Sequence, residues 1–156
     1  MKMSFFIAAA LIATGASADT TIDMTTALKG TTARQMTVFS EGHMAGTLAS
    51  TYERIEAGDG HPMTGMTGTC TGHMIVQLPA GSGGGLCAFS NDAGDRMVIT
   101  YDITGLNRDG GVSGSWIAHG GGGTMAGVQG GGSFVNGPDA EDGTFDQQVT
   151  GAITLP

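Results

Sequence analysis

The chain has little positive charge. Six lysine and arginine residues stand against 14 aspartate and glutamate, giving a formal charge of −8. A surface of that sign repels nucleic acid and anionic lipid headgroups, so neither is expected as a partner. Helical periodicity is scarce, and no apolar run after residue 19 is long enough to cross a bilayer as a helix. Several catalytic signatures are missing too. There is no Gly-x-Ser-x-Gly elbow. There is no phosphate loop, since Gly120 to Gly123 is followed by no lysine and opens no helix. No two histidines stand at metalloprotease spacing. The two cysteines do not form Cys-x-x-Cys, the spacing redox sites favour.

What is present begins with a targeting segment. Lys2 supplies a positive start, Phe5 to Ala13 a short apolar core, and Ala16-Ser17-Ala18 a small-x-small cleavage site. Cleavage after Ala18 would leave residues 19–156, one domain with one core, exported to the periplasm or beyond the cell and free of the membrane. In an exported chain an even cysteine count reads as a disulfide, here Cys70 with Cys87. Closing that loop stabilises the fold by about 3 kcal/mol in the chain-entropy model.

Alternation with period two recurs along the chain, broken by Gly, Asn and Asp, and indicates an all-β domain. In Phe145 to Leu155, Phe145, Val149, Ile153 and Leu155 share one face, and polar residues take the other. Arg96 to Thr104 alternates in the same way. Leu86 to Ser90 precedes it across the turn Asn91 to Asp95. Thr69 to Leu78 reads as a strand and Pro79 to Gly85 as a loop. Folding the hairpin at residues 78–79 sets Cys70 opposite Cys87. Thr31 to Ser40 and Ala45 to Ala57 read as strands around a turn at Glu41 to His43. Thr20 to Leu28 is a further strand or an arm over an edge. Gly58 to Gly68 is a polar connection.

The most conspicuous stretch is Gly110 to Gly137, where 12 of 28 residues are glycine and the only tryptophan, Trp116, is found. Val112, Gly114, Trp116 and Ala118 share one strand face, Gly120 to Gly123 reads as a turn, and Val128 to Val135 as the returning strand. Trp, Ile, Val and Phe have no place in a solvated linker. Glycines inside strands instead mark bulges, coiling or close backbone approach, as a small barrel requires. The count is about eight strands, the number of a small antiparallel barrel.

These residues resemble the bacterial exported proteins with an allene oxide cyclase-like barrel, relatives of plant allene oxide cyclases and dirigent proteins. The resemblance rests on Cys70, Cys87 to Asp95, Gly114-Ser115-Trp116 and Gly121 to Phe134, about residues 68–135. The family's glycine turn usually reads Gly-Thr-Gly-Lys-Phe-Ala-Gly. Here Gly121 to Gly127 keeps the glycines and the Ala-Gly but lacks the threonine, the lysine and the aromatic residue. The resemblance implies an eight-stranded barrel with a cavity. It assigns no catalytic residue. An isomerase or cyclase acting on a small hydrophobic substrate is the activity it would suggest.

Three constellations could carry function. Eight strands leave room for one small apolar ligand, with no cofactor needed. Tyr101 shares its face with Met97, and Tyr52 shares its face with Arg54; with Trp116 these are the candidate ligand-binding residues. The second is a soft-ligand cluster, His61, Met63, Met66 and His73, whose thioethers and imidazoles suit copper. The third is the acidic turn, where Asn91, Asp92 and Asp95 offer oxygens to calcium. His119 falls on the face opposite Trp116 and is expected in solvent. Exposed apolar strand faces would favour self-association into a homo-oligomer.

Overall fold

The computed structural model describes residues 19–156; the targeting reading of residues 1–18 lies outside them. The described chain is all-β. Its strands are β1 (Thr20–Asp23), β2 (Thr26–Ser40), β3 (His43–Tyr52), β4 (Thr67–Gln77), β5 (Ala80–Ser90), β6 (Arg96–Leu106), β7 (Val112–Gly122), β8 (Gln129–Asn136) and β9 (Thr144–Leu155). They form one antiparallel sheet in the order β1-β9-β2-β3-β4-β5-β6-β7-β8, and a further pairing of β8 with β9 closes it into a ring. No helix among the described residues is long and apolar enough to cross a membrane.

Alternation places the core. On β4, Gly68, Cys70, Met74 and Val76 are buried while Thr69, Thr71, His73 and Ile75 are exposed. Cys70 pairs with Cys87 across β4 and β5, and the two form a disulfide inside the ring, as the hairpin register requires. The ring is staggered. Following the cross-strand register from Arg34 leads through Leu48, Gly72, Gly85, Tyr101, Trp116, Gly132 and Gly151. The Met24 amide then donates to the Gly151 carbonyl, so one circuit ends ten residues earlier in the same chain. Such an offset means that the strands tilt against the ring axis.

This circuit explains much of the glycine content. Tyr101 and Trp116 stand side by side and lie in opposite directions. The Tyr101 hydroxyl lies over Gly85 and Gly72; a Cβ on Gly85 would sit 2.7 Å from it, and one on Gly72 would collide with it. Trp116 stands opposite Gly132, and its Nε1 donates to the Thr150 carbonyl at 3.1 Å, beyond the glycine pair Gly132 and Gly151. The same device recurs, with Phe89 on Gly68, Phe134 on Gly114, Phe145 on Gly30 and Leu106 on Gly81. A large side chain on one strand is seated on a glycine of the next, covering backbone that would otherwise be bare.

Several boundaries differ from the sequence expectation. Pro79 to Gly85 is not a loop. Leu78 and Pro79, joined by a cis peptide, make a two-residue turn, and β5 starts at Ala80. Its Gly81 and Gly85 face inward as seats. Gly120 to Gly123 is not the turn either: β7 runs on to Gly122, with a bulge between the pairs Met97–Gly121 and Ile99–Ala118. Gly120, at φ 111°, supplies the positive φ that this irregularity needs. The reversal comes later, in the 3₁₀ turn Gly123–Met125. Thr20 to Leu28 becomes both β1 and the start of β2. β3 ends at Tyr52 rather than Ala57. The connection that follows is not wholly polar, because Ile55, Met63 and Met66 are buried in it. They close the ring end that also holds the β5–β6 and β7–β8 connections.

Candidate functional site

The ring holds a cavity of about 100 Å³. Its walls are chemically unlike. Strands β4 to β7 contribute Cys70, Met74, Cys87, Ile99, Ile103 and Trp116, an apolar surface. Strands β2, β3, β8 and β9 contribute a polar strip. There the Tyr52 hydroxyl donates to Gln147 Oε1 at 3.0 Å, and Gln147 Nε2 donates to Asn136 Oδ1 at 2.9 Å. Ser50 Oγ donates to Thr32 Oγ1 at 3.1 Å. Tyr52 is wedged by aromatic rings, with Phe89 at 5.7 Å and Phe145 at 5.9 Å between centroids. Tyr101 meets Phe134 edge-on at 6.2 Å.

At the other ring end, Arg34 reaches from β2 to Asp139 in the β8–β9 connection, Nη2 to Oδ2 at 2.6 Å. Burial holds the Asp139 carboxyl above its ordinary range, against the pull of Arg34. Both residues line the cavity. Arg34 and Met74 also line a groove of about 460 Å³ between the β4–β5 turn and the β6–β7 loop, where Arg108 lies. The groove therefore adjoins the lumen at Arg34 and Met74.

Of the residues expected at a ligand site, Tyr52, Tyr101 and Trp116 all line the cavity. Met97 is buried in the core without lining it. Arg54 is exposed and lies outside the cavity, because the alternation it was read from ends with β3 at Tyr52. Ile55 turns inward in its place, its amide bonded to the Met66 carbonyl.

The soft-ligand cluster is not assembled. Met63 and Met66 are buried while His73 is exposed on the outer face of β4. His61 accepts from the Met63 amide at Nδ1, which puts the ring proton on Nε2 and leaves that atom no lone pair for a metal. Nε2 is buried without a full hydrogen bond, and desolvation holds the imidazole below its usual pKa. The acidic turn has a structural task. Asp95 accepts from the Thr124 amide at 2.7 Å, from the Thr124 hydroxyl at 2.9 Å and from Asn91 Nδ2 at 3.0 Å. Both its oxygens are used in tying the β5–β6 turn to the 3₁₀ turn. His119 is exposed, 2.7 Å from Thr100 Oγ1.

Sequence reading missed Gln147, Asn136 and the Arg34–Asp139 pair. Gln147 was detectable, since it falls between Phe145 and Val149 on the inward phase of β9. Asp139 was not, because no alternation runs through a loop.

The two lumen phenols set a pH limit on stability. Burial, and then the neighbouring Tyr101, push Tyr52 well above the ordinary 10.0, more strongly than Gln147 lowers it. Burial raises Tyr101 as well. A phenol raised on folding contributes stability that is present below the unfolded value and lost as pH climbs past it. Urea unfolding should therefore give a level free energy from about pH 7 to about pH 9 and a fall by about pH 11. The fall should be shallower in Tyr52→Phe, and an equal fall in that variant would place its cause elsewhere.

Comparison with protein-family models, with curated proteins and with solved structures found no match to the chain.

Proposed function

We propose that the ring is an eight-stranded barrel of the allene oxide cyclase-like kind, exported, which holds one small apolar molecule in its lumen. The strand count supports the architecture. β1 and β2 pair with the same edge of β9, so they act as one wall strand interrupted at Met24 and Thr25. The buried disulfide fits a chain that folds outside the reducing cytosol.

The observation that carries the ligand reading is the lumen itself, an apolar space of about 100 Å³ beside a short polar strip. Pockets for drug-sized ligands run to about 300–1,000 Å³. A dry engineered cavity of about 150 Å³ admits benzene or xenon. The occupant is accordingly of single-ring size.

A thermal-shift and native mass-spectrometry screen of small lipophilic compounds tests this. At about 100-fold its dissociation constant, a ligand that binds only the folded chain should stabilise it by about 2.7 kcal/mol. A one-to-one adduct should accompany the shift. No shift and no adduct with any compound of that size would remove the reading.

A further inference from the structure

The lumen carries a more specific signal than its size. Five hydroxyl-bearing residues line it, Thr26, Thr32, Ser50, Tyr52 and Tyr101. Four are engaged. Thr26 donates to the Ala27 carbonyl, Thr32 and Ser50 bond to each other, and Tyr52 donates to Gln147. The hydroxyl of Tyr101 has no hydrogen-bond partner among the described residues. It is also firmly placed. The ring packs edge-on against Phe134, and the oxygen lies over Gly72 and Gly85, where no side chain can displace it. Met74, Cys70 and Cys87 line the lumen from the two strands next to it. A phenol in such surroundings remains an O–H donor at neutral pH.

A donor held in an apolar chamber without an acceptor leaves a hydrogen bond for the occupant to complete. We propose that the lumen selects a single-ring molecule bearing one hydrogen-bond acceptor, a carbonyl oxygen, which accepts from the Tyr101 hydroxyl while the apolar body rests on β4 to β7. The proposal depends on the lumen being a ligand site, and it adds the chemical class of the ligand and the residue that recognises it. The polar strip spends the Tyr52 hydroxyl proton and one Gln147 Nε2–H on its own chain to Asn136; its remaining amide protons are the rival donors, and Tyr101→Phe separates them from Tyr101.

The test is a cycle of two probes and two proteins. Cyclohexanone and methylcyclohexane are close in shape and differ in the acceptor. Their affinities are measured by calorimetry on the full chain and on Tyr101→Phe, with urea unfolding to verify that the variant folds. One net hydrogen bond corresponds to about a 3- to 10-fold effect. The ratio of ketone to hydrocarbon affinity should fall by that factor in Tyr101→Phe, with the hydrocarbon's own affinity little changed. The infrared carbonyl stretch of bound cyclohexanone gives a second readout that needs no variant, and it should lie below its position in an apolar solvent. A ratio unchanged by Tyr101→Phe, or a carbonyl stretch at the apolar-solvent position, overturns the recognition by Tyr101. In that outcome methylcyclohexane still binds, and the lumen as a ligand site survives. Failure of both probes to bind overturns the ligand site as well.

Discussion

Replacing Trp116 with alanine is expected to cost about 4 kcal/mol, the middle of the range for removing a large buried aromatic side chain. The whole stability of such a domain is only about 5–15 kcal/mol, so the variant should lie close to unfolding. Three features give Trp116 this weight. It is buried and stands in the inward circuit that passes once around the ring. Its indole crosses β8 to bond the Thr150 carbonyl on β9, so it links strands that are not neighbours. It stands opposite Gly132, and neither that residue nor Gly151 has a side chain that could fill the space left behind. Trp116→Phe keeps an aromatic ring but loses the Nε1 bond, and should cost roughly 1–2 kcal/mol. Urea unfolding separates the two. Equal losses would mean that the hydrogen bond rather than the covering of the glycines matters. A loss below about 1 kcal/mol for Trp116→Ala would remove the seating explanation.

The complementary change is to the seat. In Gly132→Ala the new Cβ would run into the Thr150 carbonyl oxygen and the Gly151 backbone, atoms that move only if β8 and β9 separate. Overpacking of a well-filled site costs about 1–3 kcal/mol and sometimes more; with backbone as the obstacle, more than about 3 kcal/mol is expected here. Gly122→Ala is the control. Its Cβ would meet only the Arg96 Cβ at 4.0 Å, and its φ is an ordinary −144°. That variant should stay within about 0.5 kcal/mol of the parent. Comparable losses at the two positions would show that glycine is needed here for general flexibility, not for contact.

How far this could be read from the sequence follows from what alternation reports. It reports which face a residue takes, and so it gave the β6 and β9 faces, the inward Trp116 and the pairing of Cys70 with Cys87. It does not report what a glycine faces, since glycine looks the same on either phase. Pro79 to Gly85 therefore read as a loop although it is mostly strand, and Gly120 to Gly123 read as a turn although most of it continues β7. Alternation also fails where a strand stops. Arg54 was extrapolated inward two residues past the last residue of β3, and it lies in solvent. The lumen was legible through Tyr52, Tyr101 and Trp116. Of its polar strip only Gln147 was legible, by its phase on β9; Asn136 is the last residue of β8, where alternation stops. The free hydroxyl of Tyr101 is a three-dimensional fact, since it depends on what the other four hydroxyls bond.

The central claim is that this ring is hollow and apolar inside, and xenon tests it most directly. Xenon fits small dry cavities and needs no hydrogen bond. Dissolved xenon followed by ¹²⁹Xe NMR, with methyl-labelled methionine in the protein, reports from both sides. The xenon shift should move and saturate with protein concentration. The methyl signals of Met24 and Met63, which line the lumen, should shift with it, while those of Met36 and Met44 in the outer groove stay in place. A xenon shift that only drifts in proportion to protein concentration, with Met24 and Met63 unmoved, would mean that the lumen is closed to ligands.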